Sequence, residues 1–173
     1  MNSLPRRIAF LLSCWAVLPG MAAVNRPAAQ FTVGMDVRVV SLRVGPKGSV
    51  LHTGQTGTPV DGLSVEIPAG ALTNEITINL DYNTGTLSLT TSGAGSASGV
   101  FLKFSAEGVK SFQQLVNLHI RFNPARHKST VVVGYAIDAK GRLRVLNQGP
   151  QDVKAGTATF STLVPLLFTW IYA

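Results

Sequence analysis

The chain is poor in cysteine, in acidic residues and in helical periodicity, and each shortage closes off a class of protein. Of its 173 residues one is a cysteine, Cys14. No disulfide can form within the chain, and thiol redox pairs or thiolate zinc sites are excluded with it. Acids number 8 against 15 lysines and arginines, a net charge of +7. The eight are Asp36, Asp61, Glu66, Glu75, Asp81, Glu107, Asp138 and Asp152; they are scattered, mostly at turns, and form no motif for paired acid and base. Glu66 and Glu75, on the strands flanking one corner, are the pair to check. His52, His119 and His127 have no metal-ligand spacing, so neither metal nor cofactor is expected. No Gly-x-Ser-x-Gly occurs, and no glycine-rich loop runs into a helix, which removes the usual nucleophile elbow and phosphate cradle. "DYNTG", residues 81–85, lacks the spaced carboxylates of a calcium loop and reads as a turn.

What is present begins with a targeting pattern. Residues 1–7 carry Arg6 and Arg7, residues 8–18 are almost wholly apolar, and Gly20-Met21-Ala22 supplies small residues where a signal peptidase reads. This predicts a secretory signal peptide over residues 1–22, cleaved after Ala22, and a secreted or periplasmic protein. "LLSC", residues 11–14, loosely resembles a bacterial lipobox that would lipidate Cys14, but the apolar run continues past it through residues 15–18. No later stretch is apolar and long enough to span a bilayer. Cleavage leaves a balance of about +5, since Arg6 and Arg7 depart. Residues 23–33 read as a flexible leader and residues 34–173 as one domain, held without disulfides by its core alone.

From residue 37 the pattern has period two almost to the end, the signature of half-buried strands. Val37 and Val39 alternate, then the phase slips to Val40, Leu42 and Val44, which predicts a β-bulge at Val39–Val40. Leu63, Val65 and Ile67 alternate, as do Ile76, Ile78 and Leu80. Residues 92–98, "SGAGSAS", read as a mobile loop. The clearest strand is residues 115–122, with Val116, Leu118, Ile120 and Phe122 on one face and Asn117, His119 and Arg121 on the other. Residues 105–114 allow one helical turn. Residues 137–142, "IDAKGR", read as a hairpin. In the last strand Leu166, Phe168, Trp170 and Tyr172 share one face while Leu167 and Ile171 take the other, which predicts a mid-sheet position. About nine to ten short strands with frequent turn signals and no convincing helix indicate an all-β antiparallel sandwich, with a closed barrel as the next choice.

The most distinctive stretch is "IPAGAL", residues 67–72. Proline ends the ladder, Gly70 supplies a positive φ, the alanines keep the corner thin, and Leu72 returns an apolar plug to the core. Every residue has a structural task, and none at the turn is titratable. With its flanking strands this corner looks like the signature of a ZU5-like domain. Residues 100–122, "VFLKFSAEGVKSFQQLVNLHIRF", resemble that family's next strand, loop and strand, with Ala106–Val109 in place of its Pro-x-Gly and Phe112 as the anchor. Residues 131–146 resemble its later hairpin, although no tryptophan stands in residues 143–146. The His-Phe-Ser at which some members cleave themselves is missing; residues 160–165 read "FSTLVP". The resemblance covers roughly residues 48–173 and implies a β-sandwich acting as an interaction or structural module, without autoproteolysis.

The resulting expectation is a non-enzymatic module of the cell envelope or the exterior. Its partner would be an envelope or extracellular protein, or an anionic glycan or lipid surface, met by Arg121, Arg126, Arg142 and Arg144. Nucleic acid is not expected, because aromatics are not interleaved with the basic residues. An alternative comes from the last strand, "LLFTWIY", which is similar to that of chaperone–usher pilins, subunits that assemble by strand exchange. Such pilins carry a glycine where this chain has Phe160.

Overall fold

The computed structural model describes residues 30–54, 57–88, 96–124 and 131–172. The expected signal peptide, Cys14 and most of the expected leader lie outside the described residues. The rest is an antiparallel two-sheet sandwich with no α-helix among the described residues.

The larger sheet contains β1 (Gln30–Val33), β2 (Val37–Val44), β5 (Ile76–Ser88), β6 (Ser96–Ala97), β7 (Val100–Ala106), β9 (Val132–Ile137), β10 (Leu143–Val145) and β13 (Leu166–Tyr172). Its order is β1-β5-β7-β13-β9-β10, with β2 beside β1 on the same edge of β5 and β6 against the end of β13. The smaller sheet runs β11 (Asn147–Asp152), β12 (Thr157–Thr162), β8 (Val116–Arg121), β4 (Ser64–Ile67), β3 (Ser49–His52). The larger sheet curls into a half-barrel, which is how sandwich and barrel patterning coexist in one sequence.

Several sequence expectations hold in detail. The register of β2 on β5 shifts between Arg38 and Val40, so Val39 is the extra residue of the bulge. Residues 137–142 close the β9–β10 hairpin, with Asp138 N–H donating to the Arg142 carbonyl at 3.0 Å. β13 lies between β7 and β9 and is paired on both edges. Strand exchange of the pilin kind needs an unfilled groove beside that strand, and here its own chain fills both sides.

Others are corrected. Thirteen strands stand among the described residues where nine or ten were expected. The leader ends sooner, because Gln30–Val33 pairs with residues 85–88. Residues 81–85 are not a turn but the middle of β5; outward-facing Asp81 and Asn83 are taken up by Arg38 and Asp36, so their turn preference is overridden by cross-strand partners. Residues 105–114 hold a tight turn, Val109 N–H to the Ala106 carbonyl at 3.2 Å, rather than a helical one.

The "IPAGAL" corner carries the chain from β4 in the smaller sheet to β5 in the larger. Beside it the turn at residues 45–48 carries β2 to β3 in the reverse sense. Gly70 (φ +79°) donates its N–H to the Pro46 carbonyl at 2.8 Å, which joins the two crossovers. Two more crossovers dock at this end: Gln113 N–H donates to the Ala71 carbonyl at 3.0 Å, and Phe112 N–H to that of Leu163 at 2.7 Å. Four passages between the sheets are thus bonded edge to edge. Leu72 is buried at 5% exposure, and Phe112 stacks on Phe104 at 5.5 Å between ring centroids.

Between the layers Ile78, Leu80, Leu102, Phe104 and Phe168 meet Leu51, Val65, Leu118, Ile120 and Phe160, all excluded from solvent. Fit is tight: a Cβ at Gly134 would lie 2.7 Å from the Phe160 ring. β13 is buried on its far side too, at Thr169 and Ile171.

Two substitutions test the corner by urea denaturation. Leu72→Ala is expected to cost about 2–5 kcal/mol, the range for truncating a buried leucine. Gly48→Ala is expected to cost at least about 2 kcal/mol. Position 48 has φ +75°, and an added Cβ would sit 2.3 Å from the Ile67 carbonyl oxygen. Losses under 0.5 kcal/mol at both, roughly the scale of neutral surface changes, would show that the corner is not part of the core.

Candidate binding site

Opposite the stitched end, loops rather than crossover bonds close the sandwich. There the loop before β4, the start of β7, the segment after β8, the β11–β12 turn and the end of β13 surround a solvent-open cavity of about 700 Å³. Its floor is built by strand alternation. Trp170 and Tyr172 lie two apart on the inner face of β13, and the indole N–H donates to the Tyr172 hydroxyl at 3.0 Å. The Phe122 ring meets the Tyr172 ring edge-on at 5.5 Å. Burial pushes the Tyr172 phenol up, so it stays neutral at physiological pH.

Arg121 stands at the rim. Alternation along β8 turns Val116, Leu118 and Ile120 inward and Asn117, His119 and Arg121 outward. The Arg121 stem passes directly over Gly62; a Cβ there would lie 2.5 Å from Cδ, so only glycine leaves this path open. The neighbouring loop is held by Asp61, whose carboxylate accepts from Gly57 N–H at 2.8 Å and Thr58 N–H at 3.2 Å. Arg121 has no ion pair among the described residues.

Two of the other candidate arginines, Arg142 and Arg144, are not beside it. Arg142 and Arg144 belong to β10 and its hairpin, in the other sheet, with Arg142 at the stitched end. Arg121 and these two therefore do not share neighbouring strands: closeness in sequence hid a passage from one sheet to the other. Arg142 is committed locally, its Nε donating to Asp138 Oδ2 at 2.7 Å. Asp138 also accepts the N–H groups of Arg142 and Lys140, and the backbone bond from Arg142 leads in holding its carboxyl low. Arg144 is exposed opposite Ala136. Arg126 lies outside the described residues, as does His127.

Glu66 and Glu75 do not converge. Glu75 pairs with Arg43 at 3.3 Å, while Glu66 faces outward from the smaller sheet. Register on that face makes a row invisible in the sequence: Glu66 Oε2 lies 3.4 Å from His119 Nε2, and His119 Nδ1 lies 3.0 Å from Thr159 Oγ1. Asn117 donates to Glu66 at 3.1 Å and accepts from Ser161 at 2.8 Å. Acid, imidazole and hydroxyl in sequence suggest a nucleophile relay. The row, however, lies on a partly solvated outer face. β8 is paired on both edges, so its amides are engaged in the ladders rather than aimed at an oxyanion. As a cross-strand polar ladder it contributes to sheet pairing.

A second ladder crosses the outer face of the larger sheet. Lys103 Nζ donates to Asp36 Oδ2 at 2.8 Å, Asn83 Nδ2 to Asp36 Oδ1 at 2.8 Å, and Arg38 pairs with Asp81. These ties fix the β1–β2 junction to β5 and β7. The bonds from Lys103 and Asn83 hold the Asp36 carboxyl below the usual carboxylate range. Its contribution is therefore complete above the unfolded carboxylate pKa of about 4 and is lost as pH falls through the lower folded value. Asp36→Asn is expected to melt below wild type at pH 7, with the gap closing towards pH ~2.5. Thermal scans at the two pH values check this, and an equal gap at both would contradict it.

Compared with models of known protein families and with curated proteins, the sequence matches none.

Proposed function

We propose that this chain is an exported, non-catalytic β-sandwich module of the ZU5-like kind, whose task is to bind an anionic glycan, with an envelope protein as the other partner class. One observation carries the reading. The acids with recorded ion pairs are absorbed in structural ladders and hairpins, while Arg121 and Arg144 stay uncompensated among the described residues. An unpaired arginine keeps five donors and a full charge for an external acceptor. The excess of basic over acidic residues adds a long-range attraction to any polyanion.

Retention on an immobilised polyanionic polysaccharide tests this. Wild type is expected to be retained and to elute with rising salt, because exposed charges are screened. Replacing Arg121, Arg126, Arg142 and Arg144 together by glutamine is expected to reduce retention strongly and to leave the thermal midpoint nearly unchanged. Unaltered retention of the quadruple variant would remove the proposal.

A further inference from the structure

We propose that the cavity at the loop end is a subsite for a hexuronic acid unit of an acidic polysaccharide, with Arg121 taking its carboxylate. The inference rests on the glycan-binding reading above and narrows it from a charged surface to one cavity.

The volume, about 700 Å³, falls within the range of roughly 300–1,000 Å³ usual for small-molecule sites. It exceeds what one sugar ring fills, and the open mouth admits a ring that continues into a chain. The floor is aromatic and largely covered, Trp170 at 3% and Tyr172 at 5% exposure: the indole N–H of Trp170 donates to the Tyr172 hydroxyl, and Phe122 packs on the Tyr172 ring. Phe122, half-buried in the lining, offers an apolar surface to the C–H face of a pyranose.

The rim supplies the complementary chemistry. Arg121 is guided across Gly62 to the cavity and has no carboxylate partner within the described chain. A guanidinium fork pairs with a carboxylate through two parallel hydrogen bonds, a match that hydroxyls alone do not provide. Asp61, the acid in the lining, is turned to its own loop by Gly57 and Thr58, and so fixes the rim. One cation over a partly apolar lining at an open mouth describes a sugar acid better than a lipid, which would need an enclosed apolar channel.

The test is calorimetric titration of the purified protein with galacturonate and glucuronate, each against its neutral parent sugar, and with short oligomers of both acids. Saturable binding of at least one acid, with the parent at least about tenfold weaker, is expected. Arg121→Gln is expected to remove that preference, Arg121→Lys to retain part of it, and Lys47→Gln, exposed in the turn at the stitched end, to leave it intact. Acid and parent sugar binding alike, or Arg121→Gln behaving as wild type, would overturn the assignment. The polysaccharide column separates the two levels. A wild type retained on polyuronate whose Arg121→Gln variant is retained equally overturns the cavity alone; a wild type that is not retained overturns the glycan reading with it.

Discussion

The molecule depends on four passages between its sheets being bonded to one another at a single end. Gly70 donates to Pro46, Gln113 to Ala71 and Phe112 to Leu163, and beneath them Leu72 and Phe112 close the gap between the layers. Each bond satisfies a backbone group that would otherwise be left in a crowded turn. Because these turns are close enough that position 48 tolerates no side chain, they fix the spacing of the sheets and leave the far end to loops. That division of labour explains why the most distinctive sequence motif carries shape rather than chemistry. The corner and the cavity lie at opposite ends of the same strands.

The polar groups follow the same logic. Both outer faces carry ladders of side chains that satisfy one another across strands, Asp36–Lys103 with Arg38–Asp81 on one and Glu66–Asn117–Ser161 with His119–Thr159 on the other. Such rows contribute modestly apiece and chiefly set register. They take up Asp36, Asp81, Glu66 and His119 in cross-strand contacts. Arg121 stands outside these ladders, and its position at the rim is a consequence of β8 ending where the loops begin.

Much of this was legible in the order of residues. The slip at Val39 announced the bulge, the two-sided apolar pattern of residues 166–172 placed that strand inside a sheet, and proline with glycine marked the corner. What escaped was whatever register alone decides. Gly62 and Arg121 meet though far apart in the chain, and no local pattern reports it. Residues 81–85 carry turn composition yet run as strand, because Arg38 and Asp36 wait opposite. "NQGPQD" has no strand pattern, yet it forms β11. There the Gln151 side-chain amide imitates a peptide group, accepting from Val132 N–H at 3.1 Å and donating to its carbonyl at 2.7 Å.

The position of β13 has a kinetic consequence. It comes after the other twelve described strands in chain order and separates β7 from β9. Without β13 the larger sheet would be two halves with no lateral bonds between them. Closing that sheet therefore waits on contacts of long sequence separation, the kind that slows folding.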